Sequence, residues 1–235
     1  MACGVVVSSM PASAGDVSFE QIIGFSKEGR YFGFEEFGIQ DGSGFPYANL
    51  YLIDLENDRW VRGSPYRILK KSGRATLFAA RSEARQLAQG LIRRLKLKTP
   101  ARLLYARTIA DPKGIGPVHM VSVPDWTDPR LASPRSFELI LKTIDFGKTP
   151  TCPDGVKGFS LSIKQPKDQQ ETRFHEDNEP VSSRNCAADY RLSQVYIPDI
   201  FPLPKKGIAL ISVISRGFEG YDRRFIALPI PLPAE

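Results

Sequence analysis

The sequence predicts a mainly β protein of the α+β kind, with antiparallel sheets from two blade-like β units and one long amphipathic helix, about residues 75–97, between them. Three observations carry this. Short apolar and aromatic runs bounded by Gly, Asn, Asp and Pro recur over residues 19–69 and again over 137–228. One stretch, beginning at Ala75, changes to three- and four-residue steps. Lastly, one pattern occurs twice: an apolar strand, a loop holding glycines, a phenylalanine and carboxylates, then a second strand. It runs from Phe37-Gly38 to Gly44-Phe45 early, and through Gly217-Phe218-Glu219-Gly220 late.

Residues 1–14 carry no charge and end in Pro11-Ala12-Ser13-Ala14, ahead of Gly15-Asp16. Ala12 and Ala14 match the A-x-A pattern of a signal-peptide cleavage site, and Val5-Val6-Val7 fits the end of an apolar h-region. No basic n-region precedes them, so the segment reads as a signal-peptide remnant or a disordered tail. Export is the expectation. No stretch approaches the length of a membrane span.

Residues 15–110 read as a β meander plus the helix, with strands at 19–25, 30–37, 48–55, 60–61 and 66–69. Asn57-Asp58 supplies a tight turn. Phe32, Phe34, Tyr51 and Trp60 are expected in the core. In the helix, Leu77, Phe78, Ala84, Leu87, Ala88, Leu91, Ile92 and Leu95 form the apolar stripe, and Pro100 ends it. The opposite face carries Arg81, Arg85, Arg93 and Arg94, with Lys96 and Lys98 near the C-terminal end of the dipole. Without the aromatic or glycine motifs of a nucleic-acid module, it reads as a solvated face, and no nucleic-acid partner is expected. The net charge of +6 is scattered along the chain and adds little to that choice.

A strand at 102–109 is followed by Pro112, Pro117, Pro124, Pro129 and Pro134, so residues 111–135 read as a proline-rich connection. The C-terminal β unit, 136–235, has strands at 137–146 and 159–163, a hairpin to 172–175, and a last pair at 208–215 and 224–228. Cys152 and Cys186 lie in loop settings, while Cys3 falls in the leader. Removal of the leader leaves an even pair, as an oxidising compartment retains; the alternative is two free thiols. His119 and His175 have no ligand spacing to the cysteines, so no metal and no cofactor is expected.

Four stretches resemble a bacterial family of predicted secreted proteins catalogued as a domain of unknown function. They are Gly24-Phe25-Ser26-Lys27-Glu28-Gly29-Arg30-Tyr31-Phe32, Gln40-Asp41-Gly42-Ser43-Gly44-Phe45-Pro46-Tyr47-Ala48, the Cys152 and Cys186 pair, and Ser215-Arg216-Gly217-Phe218-Glu219-Gly220 with Asp222-Arg223-Arg224-Phe225. The resemblance implies an exported, disulfide-containing protein and assigns no activity. A looser similarity, to TolB-type β-propeller repeats, rests on Phe25-Ser26-Lys27-Glu28-Gly29-Arg30-Tyr31-Phe32-Gly33-Phe34, which lacks the repeat's proline.

Candidate chemistry is sparse. Glu35, Glu36 and Asp41 sit on or beside one glycine-rich loop, and Glu219 and Asp222 on its counterpart. If the loops met, Glu35 or Glu36 with Glu219 would make a carboxylate pair for hydrolysis of envelope carbohydrate. Asp41-Gly42-Ser43-Gly44 lacks the ligand pattern of a calcium loop, and no nucleophile motif or phosphate-cradling loop is present. The reading is therefore a periplasmic or secreted binding or scaffolding module with an unknown envelope protein or polymer as partner. Its recognition surface is expected at Asp41, Phe45, Tyr47, Phe218, Glu219, Tyr221 and Asp222. The alternatives are the hydrolase and a nucleic-acid binder acting through the basic helix.

Overall fold

A computed structural model of the chain describes residues 15–107, 116–123, 135–165, 170–202, 204–217 and 220–232. The leader, Phe218, Glu219 and most of the proline-rich connection lie outside these residues. Among the described residues the protein is mainly β, with one α-helix and three antiparallel sheets. The first sheet holds β1 (Phe19–Phe25), β2 (Tyr31–Ile39) and β3 (Pro46–Asp54), and both β4 (Arg59–Trp60) and β5 (Tyr66–Leu69) pair with the outer edge of β3. The helix α1 (Leu77–Arg94) follows. Next come β6 (Ala101–Ala106), β7 (Val118–Val123), β8 (Arg135–Asp145), β9 (Lys157–Lys164) and β10 (Glu171–Glu176). The last three strands are β11 (Ala187–Pro198), β12 (Lys206–Arg216) and β13 (Tyr221–Pro231). A middle sheet runs β13-β12-β11-β6 and a third runs β10-β9-β8-β7.

These elements stack as helix, first sheet, middle sheet and third sheet. Ala80, Ala84, Ala88 and Leu91 of α1 pack on Ala48, Leu50 and Leu52 of β3. Alanine at successive four-residue steps lets the helix lie close to the sheet. Thr76 begins it by accepting a 3.1 Å hydrogen bond from the Ala79 N–H. Phe78 and Leu87 of the expected stripe stay exposed, outside this alanine row. The opposite face of the first sheet sets Phe25, Phe32, Phe34 and Ile53 against Ile208, Leu210 and Phe225 of the middle sheet. The far side of the middle sheet packs Ala209, Ile211 and Val213 on Phe137, Leu139, Phe159 and Leu161 of the third.

Stacking explains why β12 reads as a nearly unbroken apolar run: alternate residues enter different cores, so neither face is free to be polar. β2 is covered on both sides for the same reason. Gly33 is required there, since a β-carbon would sit 2.9 Å from a Leu97 methyl and 3.0 Å from one of Leu52. Each fully buried Phe or Leu contributes about 2–3 kcal/mol of burial free energy. The likeness to TolB-type propeller repeats finds no support, because the described sheets stack in layers instead of radiating around an axis.

Candidate functional site

Adjacent residues of a strand point to opposite faces, and β2 uses this to send Glu35 toward the helix and Glu36 toward the middle sheet. Both carboxylates are fully buried. Glu35 is held by two arginines of α1. Arg81 donates from Nε to Oε1 and from Nη2 to Oε2, each at 3.0 Å. Arg85 donates from Nε and Nη2 to Oε2 at 2.9 and 2.6 Å. Arg81 also lies 3.6 Å from the centre of the Phe37 ring. These two arginines, expected on a solvated face, pin the helix to the sheet.

Among the described residues, Glu36 has no cation as a hydrogen-bond partner. Its Oε1 accepts from the Phe225 N–H at 2.7 Å and from Ser18 Oγ at 3.3 Å; its Oε2 accepts from Asn49 Nδ2 at 3.1 Å and Tyr51 OH at 3.3 Å. A buried carboxylate saturated by neutral donors stays in place without a salt bridge. It forms the floor of a cavity of about 450 Å³ between β2, β3 and β4 on one side and β12 and β13 on the other.

The cavity is walled by aromatic rings in register. Phe34 opposes Tyr51 across β2 and β3 with ring centres 4.9 Å apart, and Tyr51 lies 6.1 Å from Trp60. The series starts in the core at Phe32 and ends in solvent at Trp60, which is 50% exposed. Arg67 of β5 lies over the Trp60 ring at 5.4 Å. Burial first, and then the charge of Glu36, raises the Tyr51 phenol above its usual range, with Arg67 opposing. The far wall is Ser183, Arg184 and Asn185, a 3-10 turn leading into Cys186.

The other guanidinium groups of the cavity are already paired. Arg184 meets Asp177 at 2.6 Å and stacks on Phe159, while Arg224 pairs with Asp16. Among the described residues, Arg67 has no carboxylate partner and is exposed at the mouth. The described lining thus holds aromatic faces, one carboxylate, an amide from Asn49 and the exposed Arg67 guanidinium, which meets Tyr51 and Trp60.

The sequence-derived site residues fall elsewhere. Asp41 caps its own turn, accepting the Gly42 N–H at 2.9 Å, and Phe45 lies at the end of that loop. Tyr47 is buried and donates to Asp16 Oδ1 at 3.1 Å, while Asp222 accepts the Asp16 N–H at 2.9 Å. Residues flanking the two glycine-rich loops therefore meet through Asp16, with Arg224 over the Tyr47 ring at 4.7 Å. Tyr221 is exposed beside them. Phe218 and Glu219 lie outside the described residues. Cys152 and Cys186 form a disulfide.

His119 is buried with its Nδ1 3.0 Å from Tyr105 OH, and His175 stacks on Phe159 with ring centres 4.5 Å apart. No three His, Cys, Asp or Glu side chains gather as a metal set among the described residues. No helix among them is long and apolar enough to cross a membrane.

Asn49, Arg67 and the 183–185 wall were missed by sequence reasoning. Two signals mark the cavity, though not these residues. Glu36 shares a two-residue period with Phe32 and Phe34, an anomaly on an apolar face. Trp60 stands among Glu56, Asn57, Asp58, Arg59 and Arg62, which is a surface setting for a large ring. In comparison with known proteins, the family model described as "Predicted secreted protein (DUF2259)" matches residues 33–231. No curated protein and no solved structure matches.

Proposed function

The chain belongs to the DUF2259 family of predicted secreted proteins, and from that premise we propose that it acts in the periplasm or outside the cell as a binding module. Its recognition site is the aromatic cavity above Glu36. The observation that carries this reading is a half-exposed Trp60 at the end of a stacked aromatic series, beside the exposed Arg67 guanidinium and over a saturated carboxylate. A half-exposed ring held beside fixed polar groups at the mouth of a cavity has the form of a recognition platform. Tyr47 and Asp222, which flank the glycine-rich loops, serve the scaffold, since both turn inward to hold Asp16.

Hydrolysis of a glycoside needs two carboxyl groups facing one bond. Glu36 is the one carboxylate among the described lining residues, and Glu35 faces the opposite side of β2. The test is an NMR screen of the isotope-labelled protein against small saccharides and other polar ring compounds. A binder should shift the Trp60 indole and Asn49 amide signals together, and Trp60→Ala should remove the response. Shifts confined to residues 40–45 and 220–222 would replace the cavity with the loop surface.

A further inference from the structure

A separate cavity of about 440 Å³ lies between the end of β6 and β11 in the middle sheet and β7 and β8 in the third. Among the described residues it shares no lining with the cavity above Glu36. The two-residue period tells which side chains face into it. Tyr105 reaches across the sheets to His119, its OH 3.0 Å from Nδ1. Arg107 keeps the phase of Tyr105, and its N–H carries the ladder one step further by donating to the Ser193 carbonyl at 2.8 Å. Leu141 and Tyr190 belong to the core between these two sheets, and His119 keeps the phase of Val121 in that core.

The other charged residues of the lining take the opposite phase and are already paired. Lys142 meets Glu171 at 3.2 Å, and Arg191 meets Asp189 at 2.8 Å. Arg107 is therefore the one charge of the described lining that faces inward. It has no carboxylate partner among the described residues, and its Nη2 is buried without an acceptor. Burial, and then the charge of Arg107, lowers His119 to about 4, so the ring beside it is neutral at pH 7 and adds no charge. A guanidinium that has left water without gaining an acceptor is costly, and an anion from outside removes that cost.

The arrangement also limits which anion fits. One uncompensated positive charge matches a monoanion, whereas a doubly charged phosphate would leave a negative charge in excess. The planar fork of Arg107 matches the two oxygens of a carboxylate. Pro117, Leu141 and Tyr190 give the remaining space an apolar wall, and its volume suits a small organic molecule better than a bare ion.

We propose that this cavity is a second binding site, for a small organic carboxylate whose acidic group pairs with Arg107 and whose carbon frame lies against Leu141 and Tyr190. Acetate, butyrate and benzoate are suitable probes, with benzamide as the neutral counterpart of benzoate and inorganic phosphate as a second anion. In an NMR titration of the labelled protein at neutral pH, benzoate should shift the Arg107 Nε and His119 ring signals and leave the Trp60 indole in place. It should bind about tenfold more tightly than benzamide or phosphate, the scale of one charge-assisted contact. Arg107→Leu, read at His119, should weaken benzoate by about tenfold or more. The same variant without ligand should melt within about 2 °C of wild type or above it, because it removes a charge that has no partner.

A clearly lower melting temperature of Arg107→Leu would show that the native fold already compensates this charge, and would overturn the proposal. Benzamide binding as tightly as benzoate would overturn the anionic class, and tighter binding of phosphate the carboxylate. If none of the three carboxylates shifts the Arg107 and His119 signals, the site fails. If they shift the Trp60 indole instead, this inference fails and recognition by the aromatic cavity stands.

Discussion

Replacing both Cys152 and Cys186 with serine removes a crosslink between residues 34 positions apart. In the chain-entropy account, a closed loop of that length restricts the unfolded chain by about 4 kcal/mol. The native fold should survive the change. On the Cys152 side, Thr149 and Cys152 exchange backbone hydrogen bonds at 3.1 Å, and on the Cys186 side Arg184 remains bound to Asp177 at 2.6 Å. The loss should therefore appear as lower stability with retained structure. For a chain of this size, about 4 kcal/mol corresponds to a melting temperature lower by roughly 8–16 °C. Scanning calorimetry on the double variant and on wild type with and without reductant reads this directly, and reduced wild type should melt with the variant. The segment that loosens is residues 181–186, which includes the Ser183 to Asn185 wall of the cavity, so ligand affinity should fall as well. A double variant melting within about 2 °C of oxidised wild type would refute the reasoning, because a crosslink over this span is required to restrict the unfolded chain.

Two further outcomes are expected. Glu35→Ala leaves Arg81 and Arg85 facing each other without their shared carboxylate; Arg81 is 24% exposed and Arg85 46%, so solvent softens the penalty. The loss should be about 2–3 kcal/mol in urea unfolding, below the range for a fully buried pair, and a loss under about 0.5 kcal/mol would show that the network does not hold the helix. Stability should also fall in acid in two stages. Burial, and then the charge of Arg107, lowers His119 to about 4 from its usual 6.5. An unfolded chain binds this proton first, so the stabilisation is complete above 6.5 and is lost as pH falls from there to about 4. Asp54 follows. Burial works against its ionisation, but hydrogen bonds from Arg30 and Asn57 prevail and hold it at about 2, so its share is complete above 3.8 and lost as pH falls toward 2. Urea midpoints measured between pH 7 and pH 4 should decline in wild type and flatten in His119→Gln; parallel declines in both would remove His119 as the cause.

Short apolar runs bounded by turn residues, and the helix, could be read from the sequence. β1 was legible to the residue, and β5 likewise. β11 was not, although it lies inside the middle sheet. Its register slips between Ala187 and Asp189 and again between Leu192 and Gln194, so Tyr190 and Leu192 keep one phase while Val195 and Ile197 take the other. The bulges that let the strand follow the sheet erase the two-residue period that would announce it. β7 was hidden by its exposed face, where Val118 and Met120 sit among flanking prolines.

The cavity was harder still. Its walls come from residues 34–67, 183–185 and 213–227, and no local pattern relates a tryptophan after a tight turn to a serine-rich turn well over a hundred residues later. Phe34 was expected in the core and is there. Trp60 shares its chemistry but sits on a two-residue strand and stays half-exposed among the described residues. The sequence specifies the ring, and stacking decides that it remains in water.

The most direct test of the cavity as the recognition site is a crystal structure of the protein soaked with the tightest-binding compound from the NMR screen. Density lying across the Trp60 ring and reaching Arg67 and Asn49 is the expected result. Density beside residues 40–45 and 220–222, with only water over Trp60, would contradict the account and return recognition to the glycine-rich loops.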